Sequence, residues 1–295
     1  MQTPKNNLRC KPDWLKAPLP GGDRYRQVRA AVSGNHLATV CSEARCPNLG
    51  ECWNSGTATF MILGKICTRG CRFCAVTRGA GDGVDKAEPG RVAAAVKSMN
   101  LTYAVLTSVT RDDLPDGGGQ QIADTIAAIR NNNPQMLVEV LTPDYQDAAL
   151  ETVLLATPTV FAHNIETVER LSPMMRHPKF EYQRSLRTLA SVAAFKKGTG
   201  IITKSSIMLG LGEHQREVLL SMAHLRDAGV KILVLGQYLQ PTKSHAAVVS
   251  FIPPETFNEL ASRGLEMGFE FVAAAPLART SYRAAEAYIK SKNES

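Results

Sequence analysis

Ala58-Thr-Phe-Met-Ile-Leu63-Gly-Lys-Ile-Cys67-Thr-Arg-Gly-Cys71-Arg-Phe-Cys74 decides how this chain is read. Residues 58–63 form an apolar run that stops at Gly64, the pattern of a strand buried on both faces. The run leads straight into three thiols spaced C-x3-C-x2-C. In barrels of parallel strands the chemistry gathers at the C-terminal ends of the strands, where this loop stands. The same rhythm continues downstream. Apolar strands are expected at 103–109, 136–141, 159–163, 201–209 and 231–239, and helices at 89–99, 120–131, 147–156, 182–197, 215–228 and 255–267. A short extra strand is expected at 269–275 and a terminal helix near 284–290. Six consecutive β-α units suit a barrel or partial barrel better than an open doubly wound sheet.

The chain has 295 residues, 44% of them hydrophobic, which is enough for one large core built on aliphatic packing. No apolar run approaches the roughly 18 residues of a membrane span, and the N-terminus lacks the apolar region of a signal peptide. An intracellular, cytoplasmic protein with no membrane partner is expected. The net charge of +7 is uneven. Residues 1–36 hold seven Lys/Arg, Arg24, Arg26 and Arg29 among them, against Asp13 and Asp23. This Pro- and Gly-rich stretch reads as a wrapping arm with a short helix at 23–32. It is either a solvated extension or a handle for an acidic partner.

Seven cysteines in a chain without an export signal point to reduced thiols available to metal. Six lie between Cys41 and Cys74; Cys10 stands alone. The first triplet is Cys41-Ser-Glu-Ala-Arg-Cys46-Pro-Asn-Leu-Gly-Glu-Cys52-Trp53, where Pro47, Asn48 and Gly50 predict a loop. Zinc is the competing occupant, but zinc sites favour tight C-x2-4-C pairs or histidines at fixed offsets, and neither cluster contains a histidine. Three local thiolates on a four-iron cluster leave one iron open to bind and activate a small molecule.

The C-x3-C-x2-C loop, with Phe73 before its last cysteine, resembles the cluster motif of the radical S-adenosylmethionine (SAM) enzymes. Preceded by the first triplet, it is similar to the lipoyl synthase family. The resemblance continues through Val105-Leu-Thr-Ser-Val-Thr-Arg-Asp-Asp-Leu114, Val138-Glu-Val-Leu-Thr-Pro-Asp144 and His163-Asn-Ile-Glu-Thr-Val168. It runs on through Met208-Leu-Gly-Leu-Gly-Glu213, Gly236-Gln-Tyr-Leu-Gln-Pro241 and Arg279-Thr-Ser-Tyr-Arg-Ala284. It implies an α/β fold, a partial (β/α)6 TIM-type barrel of the radical SAM kind. Residues 1–56 would be an extension carrying the first triplet, 57–275 the barrel, and 276–295 a C-terminal extension.

The resemblance also implies the chemistry. Cys67, Cys71 and Cys74 would hold the [4Fe–4S] cluster that chelates SAM. Cys41, Cys46 and Cys52 would hold an auxiliary [4Fe–4S] cluster with Ser281 as fourth ligand. Radical insertion of two sulfurs at C6 and C8 of a protein-bound octanoyl chain would then follow, using two SAM per lipoyl group and the auxiliary cluster as sulfur donor. Partners would be octanoylated carrier domains, an electron donor such as ferredoxin or flavodoxin, and an iron–sulfur carrier, with no nucleic acid. Two departures stand out: Thr280 replaces the first serine of Arg-Ser-Ser-Tyr, and Ser206 replaces the leading glycine of the SAM segment that includes Met208 and Glu213.

Phe73 is expected against adenine, or simply packed. Thr107 and Ser108 end the second strand, where the superfamily meets the methionine amino group. Glu139 and Asn164 are expected at strand ends facing the cavity, or as satisfied polar groups. His163 reads as a hydrogen-bonded core residue rather than a ligand. Two rivals remain, a tRNA methylthiotransferase, for which the chain leaves no room for an added RNA-binding domain, and a zinc-stabilised nucleic-acid-binding protein, suggested by a pI near 9.1.

Overall fold

The computed structural model describes residues 11–17, 19–55, 57–195, 200–280 and 288–289. Cys10 and Ser281 therefore lie outside the described residues, as does most of the helix expected near 284–290. The chain opens with α1 (Asp23–Gly34). A two-residue strand, β1 (Ala38–Thr39), runs into α2 (Val40–Glu43), and α3 (Leu49–Asn54) follows. The repeat begins at β2 (Thr59–Ile62), interrupted by a small pair of strands, β3 (Ile66–Cys67) and β4 (Thr77–Arg78), before α4 (Glu88–Ser98). It continues as β5 (Tyr103–Ser108), α5 (Gly119–Asn132), β6 (Leu137–Leu141), α6 (Asp147–Leu155) and β7 (Val160–Ala162). The excursion carrying α7 (Ser172–Met175) leads to α8 (Tyr182–Ala194) and β8 (Ile202–Leu209). The last elements are α9 (Gln215–Asp227), β9 (Ile232–Gln237), α10 (Pro254–Glu266) and β10 (Phe271–Ala274).

The strands form one eight-stranded sheet in the order β1-β2-β5-β6-β7-β8-β9-β10. Every neighbouring pair is parallel except β1 with β2. β1 and β10 are the two edges, so the sheet curves without closing into a barrel. Strands in such a sheet are covered on both faces, which explains their near-continuous burial. Side chains alternate across it. Phe60, Ile62, Ala104, Leu106, Val138 and Val140 pack outward against the helices. Tyr103, Val105, Val160, Ile232 and Val234 face inward, where Ala278, Tyr288 and Ile289 from the chain's end complete the cluster.

The first triplet is more ordered than the loop its prolines and glycines suggest. Thr39 caps α2 by accepting from the Ser42 amide, and Cys41 sits on that helix. Leu49–Asn54 turns far enough to bury Trp53 against the Tyr25 ring, 5.2 Å between centroids. Burying such a ring contributes about 1.5–3 kcal/mol, enough to hold a six-residue helix that would not persist alone. The extension thereby joins the barrel's own core, since Val28, Val32, Cys41 and Trp53 share a cluster with Phe60 and Ile62.

Candidate functional site

Gly64 (φ +86°) turns the chain out of β2 into the second cysteine loop. β3 and β4 pinch the base of that loop together. Thr68 stitches it to the loop after β5: its amide and hydroxyl both donate to the Thr110 carbonyl, at 2.9 Å each, and its Oγ1 accepts from the Asp112 amide at 3.0 Å. The Arg72 amide donates to Met175 O and the Ala246 amide to Arg72 O. His245 Nε2 is hydrogen-bonded to Cys74 O at 2.9 Å. Three separate connections thus grip one loop, an arrangement that holds reactive groups in place better than a free loop can.

Cys67, Cys71 and Cys74 line one cavity of about 210 Å³. Phe73, Thr107, Ser108 and Asn164 line it as well. Backbone amides of Arg69 and Thr110 point at Cys67 Sγ, and that of His177 at Cys71 Sγ, each at 3.4 Å. Burial pushes the thiols of Cys71 and Cys74 up, to about 11 and about 12, and the Arg176 guanidinium offsets only part of this at Cys71, so without a metal both stay protonated. Iron would supply that charge, and the amides pointing at sulfur are what a cluster's thiolates need. No three His, Cys, Asp or Glu among the described residues gather closely enough to share one metal ion.

The cavity fits a polar ligand with both donors and acceptors. Ser108 Oγ, Thr142 Oγ1, Asn164 Oδ1 and Arg176 Nε are buried there without a hydrogen-bond partner among the described residues. Unmade bonds of this kind cost about 1–3 kcal/mol each, which a ligand's amino, carboxylate and ribose groups would recover. Arg69 and Arg176 bring positive charge. Each guanidinium lies over the Phe180 ring at 4.1 Å, and Arg69 also pairs with Asp112 at 2.8 Å and Asp144 at 2.7 Å. Glu166, in the left-handed region at φ +68°, completes the polar wall, its carboxyl pushed up by burial. Sequence reasoning gave no role to Arg69, Glu166 or Arg176. Arg69 lies inside the cysteine loop and Glu166 two residues past Asn164, but nothing in the sequence brings Arg176 to this wall.

Glu139, Met208 and Glu213 lie outside that lining. Glu139 sits in the middle of β6 rather than at its end, and Lys204 Nζ takes both its oxygens at 2.8 and 3.0 Å. Glu213 closes the turn after β8, accepting from the Gly210 and Leu211 amides. Met208 packs half-buried in the second core cluster. His163 is a hydrogen-bonded core residue that also edges the cavity. It bonds Thr142 O and Ser185 Oγ, both at 2.9 Å, and burial lowers its pKa to about 4, so it stays neutral.

The first triplet lies on the sheet's open edge. Burial pushes up the pKa of Cys41, which also meets the backbone of Thr59 at the start of β2. The buried Trp53 Nε1 faces the same sulfur and has no conventional hydrogen-bond partner. From the opposite edge the chain leaves β10 and returns: Asn48 Nδ2 donates to Leu277 O at 2.7 Å, and desolvation lowers the pKa of the Arg279 guanidinium, which stands near Cys46. The Cys46–Asn48 segment and residues 277–279 thus meet, one beyond β1 and the other beyond β10.

A parallel sheet left open at its edges, with a three-thiol loop at the end of its first long strand, defines the radical SAM class. The Radical SAM superfamily profile matches residues 61–232, and the chain belongs to that superfamily. The N-terminal domain of lipoyl synthase of the Radical SAM family matches residues 1–46. The chain is 54% identical to the lipoyl synthase of Thermus thermophilus, over 96% of this chain and 88% of that one. It is 49% identical to that of Anaeromyxobacter dehalogenans, over 97% of each. Within the superfamily, the chain belongs to the lipoyl synthases. Likeness in fold alone extends to the crystal structure of Streptococcus suis SuiB bound to S-adenosylmethionine: 8% identity, TM-score 0.56, covering 78% of this chain and 53% of that one.

Proposed function

We propose that this chain is a lipoyl synthase in activity as in family, a sulfurtransferase that inserts two sulfur atoms at C6 and C8 of a protein-bound octanoyl-lysine. The observation that carries the reading is the pair of separate thiol triplets, one lining the cavity after β2 and one held against the returning tail. When bound, a [4Fe–4S] cluster with SAM supplies the deoxyadenosyl radical. The chain's own residues do the rest. Cys67, Cys71 and Cys74 would hold the cluster, Arg176 would offset its charge, and Asn164, Ser108 and Thr142 would offer SAM the bonds they lack. Met61, Val76, Val109 and Leu141 give the same cavity a dry wall, which protects a radical from water.

The finer reading is that residues 1–56 and 276–295 build a second cluster site around the sheet of residues 57–275. Cys41, Cys46 and Cys52 would hold an auxiliary [4Fe–4S] cluster with Ser281 as fourth ligand. That cluster would be the sulfur donor, two SAM would be used per lipoyl group, and an iron–sulfur carrier would rebuild it. Electrons would come from a donor such as ferredoxin or flavodoxin, in the cytoplasm. No helix among the described residues is long and apolar enough to cross a membrane.

The test is iron, sulfide and zinc content after anaerobic purification, with C67A/C71A/C74A alongside. About eight irons in the parent and about four in the triple variant are expected for one cluster per triplet. Incubation with SAM, reductant and an octanoyl-lysine peptide should then yield the lipoyl product from the parent alone. Zinc in place of iron, or about four irons with every cysteine intact, overturns the two-cluster reading.

A further inference from the structure

The excursion between β7 and α8 crosses the cysteine loop and carries one aromatic ring into the cavity wall. The Arg72 amide donates to Met175 O at 2.8 Å, and the His177 amide points at Cys71 Sγ at 3.4 Å. His177 then opens a turn. The Phe180 amide donates back to His177 O at 2.8 Å, with Pro178 at the second position, where its fixed φ suits such a turn. The turn brings the Phe180 ring into the wall, where the guanidinium carbons of Arg69 and Arg176 each stand 4.1 Å from its centroid.

The two arginines are held very differently. Arg69 Nε and Nη2 bond Asp112 at 3.0 and 2.8 Å, and Nη1 bonds Asp144 at 2.7 Å. Arg176 is 5% exposed, and no carboxylate pairs with it among the described residues. Its Nη1 donates to Ser185 Oγ at 2.8 Å, while Nε has no partner. A buried cation without a counter-ion is costly, and the negative face of an aromatic ring offsets part of that cost. One hydrogen bond also leaves a guanidinium free to swivel about the bonded nitrogen, which a ring packed against it prevents. Phe180 therefore links a cation braced by two aspartates to one that is barely braced at all.

We propose that Phe180 is a positioning residue: its ring fixes the Arg176 guanidinium so that the unpartnered Nε is presented to an anionic group of the ligand bound beside Cys71. The proposal rests on the reading that this cavity holds a cluster and SAM. It assigns Phe180 no contact with either, since the ring acts only through Arg176. The π face is the operative feature, so tyrosine can take its place and leucine cannot.

The experiment uses full-length, cluster-loaded protein without reductant, so that SAM binds and is not cleaved. SAM affinity by equilibrium dialysis should fall about three- to tenfold in F180L, the worth of one cation–π contact, and stay within about twofold of the parent in F180Y. R176Q should lose at least as much as F180L, and F180L/R176Q no more than R176Q, because the ring works through the guanidinium. With reductant and an octanoyl-lysine peptide added, the KM for SAM should rise in F180L while the KM for the peptide holds. Affinity in F180L equal to the parent, additive losses in the double variant, or a loss in F180Y as large as in F180L overturns the positioning role. If F180L does not fold, F180M, flexible enough to fill the same space, decides by the same measurements. The reading of the cavity fails separately: C67A/C71A/C74A binding SAM as tightly as the parent removes it whatever Phe180 does. Binding lost in that triple variant but unchanged in F180L removes the clamp alone.

Discussion

Lys204 and Glu139 face each other inside the sheet, each side chain 1% exposed, with the Tyr103 hydroxyl donating to the same carboxylate. Neither charge reaches water, so each is stable there only because of the other. Lys204→Met should cost about 3–5 kcal/mol in denaturant unfolding, because it strands a buried carboxylate. The double variant K204M/E139Q should recover a large part of that, since no uncompensated charge remains. Equal losses in the single and double variants would mean that the pair is not isolated from solvent. This is also where sequence reading had least purchase. A glutamate inside an apolar strand can face a cavity or a distant lysine, and its partner is 65 residues away.

At the level of elements, Gly236 on β9 is the position where a single atom matters. An added Cβ would collide with Ala278 O, a backbone atom that cannot swing aside. Gly236→Ala should displace residues 276–280 while leaving the sheet intact, seen as faster proteolysis of the C-terminal segment at little change in helix content. Cleavage no faster than in the parent would show that the tail yields without detaching. The elements themselves were largely legible. Residues 58–63, 103–109 and 231–239 are apolar runs too short for helices, and the structure places strands within all three. β10 also lies within the short extra strand expected at 269–275 and pairs parallel with β9. The short helices at Cys41 and Cys52 were hidden because Pro47, Asn48 and Gly50 signal a turn. The helices exist through contacts with Tyr25 and β2 that local composition does not encode. The thiol spacing showed where the second loop's chemistry sits, whereas the wall of Arg69, Glu166 and Arg176 is assembled from stretches about a hundred residues apart.

On the scale of the whole molecule, charge and closure are both concentrated at the ends of the chain. Arg26 and Arg29 are exposed on α1, whereas Arg24 is half-buried and anchors to Met99 O. If the octanoylated carrier presents an acidic face, R26E/R29E should weaken its binding, and the effect should fade as salt rises past the range where exposed charges act. Affinity equal to the parent at low salt removes that docking site. The interior is sealed by the other end, for Ala278, Tyr288 and Ile289 fill the inner cluster between β5, β7 and β9. A ribosome adds residues at roughly 5–20 per second, so both cysteine loops emerge on the order of ten to forty seconds before that plug has been made. Through that interval the newborn chain carries the six thiols of its two triplets without the residues that fill the inner cluster. Residues 278, 288 and 289, all made later than either cysteine loop, are the ones that fill it.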